Sequence, residues 1–226
     1  MRAPISIVIP TLNAERALAR SLPALYRGVQ EGLVHELIVV DGGSSDGTVT
    51  LARAAGAVLV EAAPSRGGQL RAGCEAARAD WILALHADSI PDEGWTDAVA
   101  AHLARRGAAC FRLRFDADGP LARMTAGWAN LRSRWLGLPF GDQGLLMRRE
   151  QYRRAGGYRD QPLMEDIAMV RALPGRVRLL PCHVTTSAEK YRRQGWLRRG
   201  ARNLWLQLRY AAGARPETLA RAYRPK

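Results

Sequence analysis

The chain has 226 residues, 47% of them hydrophobic, and this composition excludes a globally disordered protein. Its net charge of +13 favours a polyanionic partner, namely nucleic acid, an anionic membrane or a phosphorylated substrate, unless the excess of arginine reflects only a coding bias. Polar residues interrupt every apolar run, which excludes a membrane-spanning helix, and three scattered cysteines argue against a zinc site or a disulfide framework.

The first half of the chain predicts strands that alternate with helices. A helix is expected over 14–28, with Asn13 as its N-cap and with Pro23 either kinking or splitting it. This alternation is typical of βαβ units with a parallel sheet. The first strand begins so early that we expect no signal peptide, which together with the cysteine content indicates a cytoplasmic protein. The predicted strands are Ile5–Pro10, Glu36–Val40, Val58–Glu61 and Trp81–Leu85.

In the second half of the chain, the alternation of predicted strands and helices is less regular. ACFRLRF (109–115) predicts a strand, and 121–136 predicts an amphipathic helix whose Trp128 and Trp135 belong to the core or to an interface. GDQGLLMRRE predicts a strand that enters a short helix, EDIAMVRAL a helix, and VRLLP another strand. From about Tyr191 the sequence predicts basic amphipathic helix.

Polar residues follow the predicted strands at the points where the strands end. Because ligands of an open parallel sheet bind at the carboxyl ends of its strands, these residues are expected to converge on one site. PTLNAE after the first strand is not GxGxxG, and GxxxxGK[ST] is absent from the sequence, which disfavours dinucleotide-binding and P-loop proteins. DGGSSDGT after the second strand either binds a nucleotide through Asp41 or is only a turn with Ser45 or Asp46 as N-cap. The converging residues are Thr11, Asn13, Glu15, Asp41, Gly42, Ser44, Asp46, His86 and Asp88.

PTLNAE, ELIVVDGGSSDGT, the acidic end of the fourth strand, GDQG and the ED pair together resemble the inverting glycosyltransferases of family 2, from about Ile5 to Arg171. HADS, GDQG and TSAEKY are more closely similar to a bacterial subgroup labelled radical-SAM/selenodomain-associated family 2 transferases. The resemblance implies an α/β protein of the GT-A fold, a Rossmann-type sandwich with a mostly parallel central sheet and helices on both faces.

The same resemblance implies a domain organisation and a reaction. Residues 1–190 would form the transferase domain, with a nucleotide-binding half at about 1–118 and an acceptor half at about 119–190. Residues 191–226 would be a basic amphipathic helical extension packed on that domain. The enzyme would move a sugar from a nucleotide-diphosphate sugar, a UDP-sugar being favoured, to an unknown acceptor with inversion. A lipid-linked acceptor is one alternative, and the oligomeric state is open.

Site residues follow from the matched motifs. Asp166 matches the catalytic base, although it could serve only as a helix N-terminal acid, as Glu165 could. Asp142 and Gln143 either shape the acceptor pocket or satisfy buried backbone groups. The implied nucleotide-binding residues are Pro10, Thr11, Asn13, Glu15, Asp41, Gly42, Ser44, Arg66, Gln69, Arg71 and Ala87, and the acceptor pocket comprises Gly141, Asp142, Gln143 and Glu165.

The fourth strand ends in His86-Ala87-Asp88, where the family pattern is Asp-x-Asp. The resemblance implies that Asp88 binds a divalent cation, Mg²⁺ or Mn²⁺, together with the donor phosphates. His86 is either a second ligand, which Mn²⁺ accepts more readily than Mg²⁺, or a ring that holds the turn through a backbone hydrogen bond.

The basic C-terminal segment has three alternative roles. Arg192, Arg193 and Trp196 could close over the diphosphate, the segment could lie on an anionic membrane at the inner face, or it could be a plain docking helix. A sugar-phosphate nucleotidyltransferase is the enzymatic alternative, and a non-catalytic polyanion- or membrane-binding protein is the alternative from another class. No nucleic-acid-binding motif is recognisable, so a nucleic-acid partner is not expected.

Overall fold

The computed structural model describes residues 3–105 and 107–223. In the first half of the chain, strands and helices alternate as predicted. The predicted limits at 1–2 and 224–226 lie outside the described residues. The strands are β1 Ile5–Thr11, β2 Val34–Asp41, β3 Val58–Glu61, β4 Trp81–Ala84, β5 Ile90–Pro91, β6 Ala109–Phe115, β7 Leu145–Arg148 and β8 Arg178–Thr186. The helices are α1 Glu15–Gln30, α2 Thr48–Ala54, α3 Arg66–Ala76, α4 Trp95–Leu103, α5 Pro120–Leu136, α6 Arg149–Arg154, α7 Glu165–Ala172, α8 Glu189–Gln194, α9 Trp196–Ala211 and α10 Pro216–Tyr223.

The described strands form one sheet in the order β3-β2-β1-β4-β7-β6-β8-β5. The first four of these are mutually parallel, β7 is antiparallel to both of its neighbours, and β6 and β8 are again parallel. Thr11 pairs with Asp41 at the ends of β1 and β2, and Val8 pairs with Ala84 at the end of β4. The carboxyl ends of these three strands therefore meet at one edge of the sheet, as predicted.

Alternate strand residues divide the core in two. Ile5, Ile7 and Ile9 of β1 pack on the face covered by α1, α4 and α5, whereas Val8 packs with α3 and α7 on the other face. Burial on both faces explains why the central strands are almost continuously apolar. The predicted arrangement of helices on both faces of the sheet is confirmed.

One local prediction was wrong, and for two others one of the alternatives is excluded. Asn13 does not cap α1, because its side-chain oxygen accepts the backbone N–H of Ser45 at 2.8 Å instead. Pro23 does not split α1, which runs from Glu15 to Gln30. Trp128 and Trp135 are not core residues, since they are 55% and 68% exposed.

The C-terminal helices pack on the rest of the chain. Leu206 of α9 and Leu219 of α10 are buried against Met164 and Ile167, which border α7 or lie in it. Buried Arg199 adds hydrogen bonds to Gln194 and Tyr223. None of the helices within 3–105 and 107–223 has the length and apolar content needed to cross a bilayer.

Candidate active site

The loop after β2 is organised around Asp41. Its Oδ2 accepts the backbone N–H groups of Gly43 and Ser44 at 3.0 and 2.8 Å, and its Oδ1 accepts the hydroxyls of Thr11 and Ser44. Burial disfavours the charge, but the hydrogen bonds from Ser44, Gly43 and Thr11 outweigh it and lower the pKa of Asp41. The two donors on Oδ1 are hydroxyls that can rotate, so Oδ1 is the atom that an incoming N–H could reach.

Residues after β1 brace the same loop. Asn13 bonds to Ser45, Glu15 accepts the backbone N–H of Gly47 at 3.0 Å, and Asp46 accepts that of Glu15 at 3.1 Å. Asn13 and Met164 are the two non-glycine residues with positive φ in the described part of the chain, at +50° and +65°. Met164 directly precedes Glu165, so both strained positions border the candidate site.

Two predicted nucleotide contacts have other partners. Gln69 donates from Nε2 to the carbonyls of Thr11 and Val40 at 2.7 and 2.8 Å, which ties α3 to the tips of β1 and β2. Arg71 pairs with Glu75 at 3.0 Å on the exposed side of α3 and is not brought to the cleft. Gly42 packs so closely against Gln69 that a Cβ there would lie 3.1 Å from Nε2. Pro10 is the penultimate residue of β1, and Ala87 lies three residues beyond the end of β4, between His86 and Asp88.

His86, Gly141 and Asp166 meet where β4, the short 3₁₀ turn 141–143 and α7 converge. Asp166 Oδ2 accepts the backbone N–H of Gly141 at 2.6 Å. A Cβ on Gly141 would lie 2.5 Å from His86 Nε2 and 3.4 Å from Asp166 Oδ2, so only glycine fits between them. A cavity of about 20 Å³, enough for roughly one water molecule, lies among these residues and Glu165.

The His86 ring is held neutral. Burial lowers its pKa, and the charges of Arg66 and Lys190 lower it further against the opposing effect of Asp88. The ring has no hydrogen-bond partner in the described part of the chain, so the predicted bond to the turn was wrong. The turn is held instead by Ser89, whose N–H donates to the His86 carbonyl at 3.0 Å.

Glu165 and Asp166 differ in exposure although they are neighbours. Glu165 is 2% exposed and lies 3.6 Å from Arg66, from its Oε1 to the arginine Nε. Burial and the charge of Asp166 raise the pKa of Glu165, and Arg66 opposes them. Asp166 is only half-buried. Of the two carboxylates, Asp166 is therefore the one that a bound molecule can reach.

Two residues of the GDQG segment, Gln143 and Asp142, have different surroundings. Gln143 is fully buried, donates to the carbonyl of Phe111 at 3.1 Å and accepts the hydroxyl of Ser133 at 2.7 Å. The prediction that it lines an acceptor pocket was therefore wrong, and the alternative that it satisfies buried backbone is the observed one. Asp142 Oδ1 is buried without a hydrogen-bond partner among the described residues, and burial raises the pKa of Asp142 to about 6 although Arg132 opposes the shift.

Asp88 is the carboxylate best placed for a cation. Its Oδ2 accepts the hydroxyl of Thr186 at 3.0 Å and the N–H of Ser187 at 3.4 Å, while Oδ1 has no partner among the described residues. Within 3–105 and 107–223, no group of three His, Cys, Asp or Glu side chains is arranged around a metal position. The residues present fit a divalent cation only if phosphate oxygens of a ligand complete its coordination shell.

The predicted phosphate-closing residues are held elsewhere. Trp196 stacks on Tyr191 at 4.7 Å and packs edge-on against Phe115 at 5.2 Å. Arg192 bonds to the Asp116 carbonyl, and Arg193 pairs with Glu189 at 4.0 Å on the surface. The structure therefore places all three on the body of the protein or at its surface.

Sequence reasoning missed the residues that surround Asp88 and His86. Thr186 and Ser187 contact Asp88, and Lys190 lies close enough to His86 to lower its pKa. Lys190 is one of only two lysines in the chain, in a sequence where arginine supplies nearly every positive charge. That rarity was the available signal for Lys190.

Comparison with known proteins assigns the chain to a family. The family model described as glycosyl transferase family 2 matches residues 6–157. Uncharacterized glycosyltransferases from Mycobacterium bovis and Mycobacterium tuberculosis are 35% identical over 100 residues, which is 44% of this chain and 43% of theirs. The chain thus matches less than half the length of these curated relatives.

Solved structures share the fold. The mannosyltransferase PcManGT from Pyrobaculum calidifontis, in complex with GDP-Man and Mn²⁺, has a TM-score of 0.67 at 20% identity, covering 96% of this chain and 67% of its own. Staphylococcus aureus TarS 1–349, in complex with UDP-GlcNAc, has a TM-score of 0.58 at 13% identity, covering 81% of this chain and 58% of its own. These likenesses bear out the predicted GT-A-like architecture.

Proposed function

We propose that this chain, which belongs to glycosyl transferase family 2, transfers a sugar with inversion from a nucleotide-diphosphate sugar to an acceptor hydroxyl. The observation that carries the proposal is the meeting of three groups at one sheet edge: the Asp41 loop, Asp88, and Asp166 beside Gly141. A UDP-sugar is the favoured donor, supported by the UDP-GlcNAc complex of TarS, while the GDP-Man complex of PcManGT supplies the competing donor class.

The donor half uses the loop after β2. The uracil N–H would be accepted by Asp41 Oδ1 after the Thr11 and Ser44 hydroxyls rotate, and Gly42 lets the ligand approach the backbone. Partial burial disfavours the charge on Arg66, but the carboxylates of Glu165, Asp166 and Asp88 outweigh it and raise the pKa of Arg66. Arg66 thus stays charged beside the place proposed for the diphosphate.

Positive charge for the leaving nucleotide comes from several sources. Arg66 acts on both His86 and Asp88, and Lys190 acts on His86, two residues before Asp88. A divalent cation bound by Asp88 Oδ1 and the donor phosphates, Mg²⁺ or Mn²⁺, would stabilise the charge that develops on the leaving diphosphate. The Mn²⁺ in the PcManGT complex supports this cation.

Asp166 is the proposed base. Each of its oxygens accepts one backbone N–H, from Gly141 at 2.6 Å and from Ile167 at 2.7 Å, which fixes the carboxylate and leaves a lone pair on each oxygen for the acceptor proton. One positioned carboxylate that removes this proton during attack gives a single displacement and therefore inversion. Glu165 is too buried for this task and instead pairs with Arg66.

The acceptor, the radical-SAM-associated subgroup and the cytoplasmic location stay predictions. The family match reaches family 2 as a whole. A lipid-linked acceptor remains one of the alternatives for the unknown acceptor.

A panel of UDP- and GDP-sugars tests the donor proposal by thermal shift with and without Mn²⁺, because a ligand that binds the folded state raises its melting temperature. We expect UDP-sugars with Mn²⁺ to give the largest shift. An unchanged melting temperature with every nucleotide sugar would refute the proposed donor site.

Asp166→Asn tests the base. It should lower nucleotide release from the best donor by at least about 10²-fold while leaving the donor thermal shift unchanged. Asp97→Asn is the matched control, because Asp97 is an exposed acid in the first turn of α4 and resembles Asp166 only as a helix N-terminal acid. Normal turnover by Asp166→Asn, or an equal loss in Asp97→Asn, would show that the base is wrongly assigned.

A further inference from the structure

A second concave surface shares no lining residue with the candidate active site. It is an open groove of about 1220 Å³ between the end of α4, one side of α5 and the segment 174–183. The arginine groove, as we call it, is lined by Arg105, Arg112, Arg134, Arg176 and Arg178. No Asp or Glu lines it, and none of the five forms an ion pair within the part of the chain that the structure describes.

Two histidines that line the groove have pKa values lowered in part by nearby arginines. Burial lowers the pKa of His102, and Arg178 and Arg105 lower it further. Burial lowers the pKa of His183, the charges of Arg114 outside the groove and of Arg112 lower it further, and Asp92 opposes the shift. The arginines therefore act on a common space, and their mutual repulsion would be relieved by a bound anion.

An apolar surface adjoins the groove along α5. The α5 stripe comprises Leu121, Met124, Trp128, Leu131 and Trp135, which are spaced three and four residues apart and are 38% to 68% exposed. The opposite side of the helix packs on the core through small residues, so the sheet does not account for the stripe. Leu131 belongs to both surfaces, because it also lines the arginine groove.

Helix α9 packs against α5 and carries exposed apolar side chains of its own. Its exposed large side chains are Leu197, Leu204, Trp205 and Leu208, while Leu206 on its other side is buried. Neither α5 nor α9 contains an aspartate or glutamate, and both contain several arginines.

We propose that the α5 stripe and the arginine groove together dock this protein on an anionic phospholipid bilayer. Lipid phosphates would occupy the arginine groove, and Trp128 and Trp135 would enter the boundary between headgroups and acyl chains, where amphipathic aromatic side chains are favoured. Basic residues near such a surface add electrostatic attraction that salt weakens. The proposal does not rest on the transferase reaction, since binding needs neither donor nor acceptor.

Other occupants explain the surface less well. A nucleic acid would use the arginines but would leave the apolar stripe unexplained. A symmetric contact with a second copy would place two acid-free, arginine-rich patches against each other, which like-charge repulsion opposes.

Vesicle flotation of the full chain tests the proposal, with phosphatidylcholine vesicles and with vesicles that contain phosphatidylglycerol in addition. Binding to the anionic vesicles only, weakened by raised salt, is the expected result. Arg176→Gln/Arg178→Gln should weaken binding about 30-fold, and Trp128→Ser/Trp135→Ser at least about tenfold. Circular dichroism should show that both variants are folded.

Control variants remove two positive charges or two exposed apolar side chains elsewhere. Arg53→Gln/Arg78→Gln takes two exposed arginines from the other half of the chain, and Tyr26→Ser/Val29→Ser takes two exposed apolar residues from α1. Both should bind vesicles like the unmodified chain. Losses as large as those of the test variants would show that binding is non-specific and would overturn the proposal.

Three further outcomes would also overturn it. The first is no flotation with anionic vesicles at low salt. The second is binding of soluble glycerol phosphate at vesicle affinity with no effect of Trp128→Ser/Trp135→Ser, which would make the groove a site for small phosphates. The third is a dimer in analytical ultracentrifugation that Trp128→Ser/Trp135→Ser dissolves, without vesicle binding, which would make the surface an interface between copies.

Discussion

Gly141→Ala is the sharpest test of the proposed catalytic site. A Cβ at this position would lie 2.5 Å from His86 Nε2, whereas ordinary contact begins at 3.4 Å. The ring and the 3₁₀ turn must therefore separate by about 0.9 Å, the difference between these distances. Gly141 also donates the hydrogen bond that fixes Asp166, so the displacement reaches the proposed base.

The expected loss is large for one methyl group. A displacement of about 1 Å at reacting groups costs roughly 10²-fold in rate, and overpacking of a buried site costs about 1–3 kcal/mol of folding stability. We therefore expect nucleotide release to fall about 10²-fold for Gly141→Ala, with a lower urea midpoint. Gly200→Ala in α9 is the control, because no atom lies within 4 Å of its Cβ position. It should leave turnover unchanged and stabilise the helix by up to about 1 kcal/mol.

A double-mutant cycle identifies the cause of the loss. If the His86 ring is what the new methyl group meets, His86→Ala should relieve at least about 1 kcal/mol of the stability cost of Gly141→Ala. Turnover of Gly141→Ala within about threefold of the unmodified enzyme would refute the reasoning. Strictly additive stability changes would show that the clash lies elsewhere.

Three more changes test neighbouring groups. Burial raises the pKa of Asp142 from 3.8 to about 6, so the folded chain binds the carboxyl proton more tightly than the unfolded chain does. The free energy of unfolding should therefore fall as the pH rises from about 4 to 6. Asp142→Asn should abolish up to about 3 kcal/mol of that decline in urea titrations across this range, and an unchanged slope would contradict the assignment. Gln69→Leu removes two hydrogen bonds, although the Thr11 carbonyl keeps the N–H of Gly42 and the Val40 carbonyl keeps the hydroxyl of Thr11. It should lower the free energy of unfolding by about 1–3 kcal/mol, and calorimetry that shows no change would exclude this role. Because Nε2 of His86 lies against Gly141, His86→Asp should reduce nucleotide release with both Mg²⁺ and Mn²⁺, and enhanced activity with Mg²⁺ would show that the ring had replaced a metal ligand.

Local pattern predicted the central strands well because they are buried on both faces. Apolar residues dominate the runs that became β1 and β2, and parallel pairing then brings Thr11 and Asp41 to the same edge. The convergence of polar groups there follows from topology alone. The motif resemblance added Gly141 and Asp166, which lie next to each other only in the folded chain.

Some predicted site residues are held by other contacts in the folded chain. The motif would place Trp196 over a diphosphate, but Phe115 and Tyr191 offer it an apolar cluster. Gln143 sits in a motif associated with an acceptor, yet the Phe111 carbonyl needed a buried donor. Phe115 and Phe111 are distant in sequence from the residues that they contact, so no local pattern could have indicated these contacts.

Helix α5 separates the two alternatives given for its tryptophans, the core or an interface. Its buried residues are Ala122, Ala126, Ala129 and Ser133, which excludes the core. Small side chains let this helix lie close to the sheet, and its large side chains consequently point to solvent. Periodicity marks two apolar faces here, and volume rather than hydrophobicity decides which one is inside.

The departure of HADS from Asp-x-Asp follows from the charges around it. Asp88, Asp142 and Asp166 act on one another or on Arg66, and Glu165 lies beside them. A carboxylate at position 86 would be the fifth in this cluster, at a buried position where ionisation is costly. A neutral histidine avoids that repulsion and fills the space against Gly141. We infer that Asp88 alone carries the metal role of the motif, and that Arg66 and Lys190 supply the positive charge that a fully coordinated cation would otherwise provide.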